Sequence, residues 1–82
     1  MKDSAQYQAM VARIKQFSDD RDWSQFHDPK NLAISLQLEA SEVLELFQWT
    51  KDNQMKEGRS EDMVDELADV FYWLIMLANH YN

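Results

Sequence analysis

The chain has 82 residues, with 8 Lys plus Arg against 15 Asp plus Glu and a formal net charge of −7. That length fits one small domain, and the want of a basic stripe excludes a bare nucleic-acid-binding surface. With no cysteine present, a disulfide framework and thiolate metal sites are excluded as well.

One Gly (Gly58) and one Pro (Pro29) supply too little turn chemistry for an all-β chain, and 45% apolar residues argue against disorder. Apolar spacing predicts three helices. The first runs roughly from Ser4 to Asp19, with Tyr7, Met10, Val11, Ile14 and Phe17 on one stripe, read as packing rather than function. A polar connection from Asp20 to His27 carries Trp23 and Phe26, which no helical face claims. Asp28-Pro29 reads as N-cap and first helical position, so the second helix is expected from Pro29 to about Trp49. Lys51 to Ser60 is a charged connection around Gly58. Ser60 is expected to cap the third helix, with Glu61 and Asp62 placed favourably at the positive end of its dipole, and the helix continues to about Tyr81. There is no apolar run of the ~18 residues a membrane span needs, and Met1-Lys2-Asp3-Ser4 lacks a signal core. A soluble cytoplasmic protein with neither membrane nor nucleic-acid partners is expected.

On a helical wheel at about 100° per residue, Leu32, Leu36, Ala40, Val43, Leu44 and Phe47 form the expected core face of the second helix. Glu39 and Glu42 fall beside it, in a second apolar sector with Leu38, Leu46 and Trp49, rather than on a solvated face. In the third helix Met63, Val64, Leu67, Val70, Phe71, Leu74 and Ala78 make the expected core face. Glu61, Asp62, Asp65, Glu66 and Asp69 occupy the opposite face of its first half. Two turns later, at Trp73 and Met76, that opposite face becomes apolar, which predicts burial between helices or subunits. A domain this small buries only about 60–65% of its unfolded surface, so self-association is expected on size alone.

Gathering ionised carboxylates beside apolar surface is costly unless cations or donors compensate. No Lys or Arg follows Arg59, so local salt bridges are not expected to neutralise the third-helix acids. A divalent metal is the economical compensation. Glu39-x-x-Glu42 and Glu66-x-x-Asp69 each put two carboxylates on one helix face, and oxygen-only ligation favours Mg²⁺ or Mn²⁺ over zinc. The plain alternative is a solvated acidic face, because acid pairs at this spacing are common on helices. A di-iron bundle is disfavoured, since neither His27 nor His80 completes a Glu-x-x-His pair, and no EF-hand loop occurs.

Arg21-Asp22-Trp23-Ser24-Gln25-Phe26-His27-Asp28-Pro29-Lys30-Asn31-Leu32, the run from Leu38 to Trp49 ending Glu45-Leu46-Phe47-Gln48-Trp49, and Asp65-Glu66-Leu67-Ala68-Asp69-Val70 together resemble the MazG-like nucleotide pyrophosphohydrolases of the all-α NTP pyrophosphatase superfamily. The nearest subgroup is the short dCTP pyrophosphatase-like enzymes, and the similarity covers about Phe17 to Ala78. The resemblance implies an all-α fold of antiparallel helical hairpins, assembled into four-helix bundles as a homo-oligomer, a dimer or tetramer. It implies Mg²⁺-dependent hydrolysis of a (deoxy)nucleoside triphosphate to monophosphate and pyrophosphate, with dCTP-like substrates favoured and nucleotide-pool house-cleaning as the role.

Carried over residue by residue, the resemblance makes Glu39, Glu42, Glu66 and Asp69 the metal ligands, with Glu39 or Glu42 also acting on the attacking water. Trp23 and Trp49 then correspond to the base pocket. Trp73, read chiefly as interface packing, stands where relatives can place a substrate-side tyrosine. Lys30 and Asn31, at a helix start, are placed to meet phosphate or sugar. Glu45 and Asp65 are expected to support the ligands, and His27 to be a loop hydrogen-bonder. Two departures stand out: Ala40 and Ser41 where many relatives have Gly, and a stop at Tyr81-Asn82 where relatives usually continue into another helix and a basic Lys/Arg-Tyr-Pro-like segment. The expectation is a single domain over residues 1–82 without that segment, drawing phosphate-binding charge from Arg21, Lys30, Lys51, Lys56 or Arg59. The competing reading is a catalytically weak helical oligomerisation or regulatory module.

Overall fold

Residues 4–81 are described by a computed structural model; the expectations placed on Met1, Lys2 and Asp3 and on the chain end at Asn82 lie outside the described residues. Among the described residues there are three α-helices and no strand: α1 (Ala5–Asp20), α2 (Pro29–Glu45) and α3 (Ser60–His80), with a 3₁₀ turn at Ser24–Phe26. The all-α expectation holds, and the starts of α1 and α2 follow from their caps. Ser4 is extended and its hydroxyl accepts the Tyr7 amide at 3.2 Å, opening α1. Asp28 accepts the Asn31 amide at 2.8 Å, and Pro29 occupies the first turn of α2, where its missing N–H costs nothing.

Two boundaries differ from expectation. α2 ends at Glu45 rather than near Trp49, because the amides of Leu46, Phe47 and Gln48 bond back only three residues, to Val43, Leu44 and Glu45. Trp49 then adopts φ 70, a left-handed conformation that no α-helix continues through. At α3 the cap position belongs to Arg59, and Ser60 is already helical. No side chain caps the helix there, and Glu61 and Asp62 in the first turn supply the favourable negative charge. Gly58 precedes this start at φ 76, the region where glycine carries no Cβ penalty.

The α2 and α3 helices pack as an antiparallel hairpin, and α1 lies along the C-terminal half of α3. Tyr7, Val11 and Ile75 form the buried cluster between α1 and α3, with Ile14 against it, and Leu32, Leu46 and Met76 are also buried. The expected core faces need correction. On α2 the covered arc runs through Leu32, Leu36, Glu39, Val43 and, just past the helix end, Leu46, while Leu44 is 71% exposed and Ala40 and Phe47 are also exposed. On α3 the stripe Val64, Leu67, Phe71 and Leu74 is exposed as well. The reason is that α3 turns the side bearing Glu66, Tyr72, Trp73 and Met76 toward the rest of the chain, so its most apolar stripe points away. The all-round burial expected of its C-terminal half is partly met, since Ile75 and Met76 are buried and Trp73, Leu77 and Ala78 half-buried. The radius of gyration is 14.8 Å. A compact chain of this length would have roughly 12 Å, so the single chain is elongated and leaves an apolar face uncovered. No helix among the described residues is long and apolar enough to cross a membrane.

Candidate active site

The hairpin register sets the site. With Leu32 and Leu46 buried at the two ends of its covered arc, α2 directs Glu39 and Glu42 across to Glu66 of α3. One carboxylate oxygen from each of the three lies within 4.8 Å of the others. Such crowding has an electrostatic consequence. Burial, the hydrogen bond with Glu42, and the charges of Glu42, Asp69 and Glu66 together push the Glu39 carboxyl up to about 7. Glu66 is raised too, first by its hydrogen bond with Glu42 and then by burial and the charges of Glu42 and Asp69.

Proton sharing does not satisfy the group, because Glu39 Oε2 and Glu66 Oε2 are buried without a hydrogen-bond partner. Buried carboxylate oxygens that lack donors and repel one another are a donor set for a hard divalent cation. The residues present therefore fit Mg²⁺ or Mn²⁺. Asp69 lies one turn beyond Glu66, outside the group of three, and acts on Glu39 and Glu66 through its charge.

The carboxylates stand between two openings of opposite character. On one side is a cleft of about 650 Å³, edged by Glu39 and Asp69 and walled mainly by apolar and aromatic groups, among them Ile14, Phe17, Trp23, Tyr72 and Trp73. On the other is a recess of about 260 Å³ lined by Glu42, Glu45, Leu46, Lys56, Arg59 and Glu66. The cleft wall is an edge-to-face aromatic cluster: Trp23 meets Phe17 at 5.5 Å and Tyr72 at 6.5 Å between ring centroids, and Tyr72 meets Trp73 at 4.8 Å. The Tyr72 hydroxyl bonds the fully buried Ser18 hydroxyl and lies 3.4 Å from His27 Nε2, tying α1, the interhelical loop and α3 together. Burial lowers the His27 pKa against the opposing charge of Asp19; the ring meets Tyr72 through Nε2 alone, and its Nδ1 is buried without a hydrogen-bond partner.

Trp23 and Trp73 thus share the cleft, and both also line a smaller aromatic recess of about 260 Å³ with His27 and Asn31. The Asn31 amide is engaged with Asp28 Oδ2 at 3.0 Å and the Phe26 carbonyl at 3.3 Å. Lys30 and Trp49 are not brought to the cleft or to the recess beside the acids. Lys30 is exposed in the first turn of α2, and Trp49 is 90% exposed beyond its end. The α1 stripe does double duty, with Tyr7 and Val11 as core and Met10, Ile14 and Phe17 as cleft wall, where packing alone was expected. Tyr72 escaped sequence reasoning, although its place three residues after Asp69 puts both on one helix face. Arg59 pairs with Asp62, so one third-helix acid does find a local cation, contrary to expectation. Glu66 and Asp69 have no such ion pair among the described residues.

Residues 34–82 match the MazG-like family model. The chain belongs to the MazG-like family. Its solved relatives include a pyrophosphatase from Archaeoglobus fulgidus, 33% identical with a TM-score of 0.82, the match covering 95% of this chain and 76% of that one. Among curated relatives, this MazG-like chain is similar to dCTP pyrophosphatase 1 of Rattus norvegicus, 41% identical over 70 residues, and to that of Homo sapiens, 41% identical over 68. Each match covers 77% of this chain and 40% of the relative, so the chain spans well under half the length of these enzymes.

Proposed function

We propose that this MazG-like chain hydrolyses (deoxy)nucleoside triphosphates to the monophosphate and pyrophosphate, with dCTP-like substrates favoured, as a house-cleaning activity of the cytoplasmic nucleotide pool. The observation that carries the reading is the convergence of Glu39, exposed Glu42 and Glu66, with an unpartnered buried oxygen on Glu39 and on Glu66, where Glu39 meets the edge of an aromatic cleft. The family membership and the dCTP pyrophosphatase relatives support it. Glu39, Glu42, Glu66 and Asp69 would hold Mg²⁺, with Mn²⁺ as the alternative, and the bound ion would neutralise phosphate charge.

The chain's own groups do the rest. Trp23 and Trp73 offer aromatic faces to the base and Asn31 lies at the edge of the same aromatic wall, whereas Lys30, exposed in the first turn of α2, lines neither opening. Glu39 or Glu42 accepts the proton of the attacking water. As the water oxygen bonds to the α-phosphorus, the α–β anhydride bond breaks and its electron pair leaves with the departing pyrophosphate. The proposal places these roles on a single MazG-like domain over residues 1–82, assembled as a homo-oligomer, dimer or tetramer. The exposed stripe of Val64, Leu67, Phe71 and Leu74 supports assembly into four-helix bundles.

Glu42→Gln tests the reading. It removes one ligand and one candidate base, so pyrophosphate release should fall by about 10²-fold or more while helicity and assembly mass stay unchanged. A Glu42→Gln chain that turns over normally would sink the reading. An inactive wild type that gains stability from the change would favour the regulatory module instead.

A further inference from the structure

The two openings flanking the acid cluster differ as the two ends of a nucleotide differ. Glu39 and Asp69 border the apolar aromatic cleft, while Glu42 and Glu66, in contact with the same cluster, border the polar recess that holds Lys56 and Arg59. A nucleoside triphosphate laid across the carboxylates with its base in the cleft therefore sends its distal phosphates into the recess. Of the other cations among the described residues, Arg13 lines the cleft rather than the recess, and Lys15, exposed on α1, lines neither opening. Arg21 is stacked on the Phe17 ring at 3.6 Å and bonds the Phe17 carbonyl at 3.0 Å. Lys30 and Lys51 are exposed and line neither opening, and Arg59 is tied to Asp62.

Lys56 is different. Its amide donates to the Leu46 carbonyl at 2.7 Å, closing the neck of the loop between α2 and α3 and fixing the residue beside the end of α2. It is half-buried and lines the recess, yet forms no ion pair among the described residues despite three carboxylates in the same lining. The recess carries three acids against two cations, and a divalent ion on the cluster reverses that balance in favour of an anion.

We propose that Lys56 is the anchor for the distal phosphates, holding the β- and γ-phosphates of the substrate and the pyrophosphate after cleavage. This rests on the pyrophosphohydrolase reading of the site. A lysine that merely complemented the C-terminal dipole of α2 would matter equally for every ligand, or for none.

The test is calorimetric titration of the full-length protein with magnesium pyrophosphate and, separately, with dCMP, for wild type, Lys56→Gln and Lys56→Arg. Loss of one charge-assisted contact should weaken pyrophosphate binding about tenfold or more in Lys56→Gln, with dCMP binding unchanged and Lys56→Arg close to wild type. In turnover, Lys56→Gln should raise KM for triphosphate and relieve product inhibition by pyrophosphate. Equal pyrophosphate affinity in wild type and Lys56→Gln, or a parallel loss of dCMP binding, overturns the assignment. A wild type that binds pyrophosphate but hydrolyses no nucleotide would overturn the activity instead, so the two failures are separable.

Discussion

Metal affinity should depend on pH in a way set by Glu39. Its carboxyl is pushed from the ordinary 4.5 up to about 7 by burial and by Glu42, Asp69 and Glu66, and a metal ligand must be ionised. Competition by that proton weakens apparent Mg²⁺ affinity roughly tenfold at pH 6, about twofold at pH 7, and by only about 10% at pH 8. Ion binding should accordingly release about 0.9, 0.5 and 0.1 proton at these three pH values. Glu66, raised in the same direction, steepens the trend. Titration calorimetry in buffers of different ionisation enthalpy measures both quantities at once. Stability follows with the opposite sign in the metal-free protein. The folded chain binds the Glu39 proton more tightly than the unfolded chain does, so this group's contribution is lost as pH rises between about 4.5 and 7. The ion restores it above that range, and Glu39→Gln should flatten both profiles. An Mg²⁺ affinity constant from pH 6 to pH 8, with no proton released, would refute the reasoning.

Tyr72→Phe strands the fully buried Ser18 hydroxyl, which should cost about 1–3 kcal/mol and lower the melting temperature by several degrees; a thermal melt superimposable on wild type would contradict the network. Trp23→Ala should raise KM for the nucleotide about tenfold, because base–aromatic stacking is worth about 1–3 kcal/mol, and an unchanged KM would remove Trp23 from the base site. Leu67→Glu combined with Phe71→Glu places charge on the exposed α3 stripe and should give a monomer by sedimentation equilibrium. Retained assembly would locate the subunit contact elsewhere.

The start of α2 was legible in the sequence because Asp28-Pro29 is a local signal whose geometry depends on a few neighbouring residues, whereas the cap expected of Ser60 at α3 was not formed. The end of α2 was not legible, since Leu46 to Gln48 carry no stop signal and the change of direction lies in the backbone of Trp49. The acid pairs were visible as an anomaly on the wheel, and the hairpin brings Glu39, Glu42 and Glu66 together. The apolar faces were assigned the wrong cover. Leu44, Val64, Leu67 and Phe71 point away from their own chain, and periodicity tells which residues share a face, not what packs on it. Tyr72 and the cleft-facing half of the α1 stripe depend on the crossing of α1 over α3, which no single-helix pattern encodes.

The central claim is tested most directly by assaying pyrophosphate release from a panel of deoxynucleoside triphosphates with and without Mg²⁺. Metal-dependent release, greatest with a dCTP-like substrate and abolished in Glu42→Gln, is the predicted result. No pyrophosphate from any nucleotide with either Mg²⁺ or Mn²⁺ would contradict it.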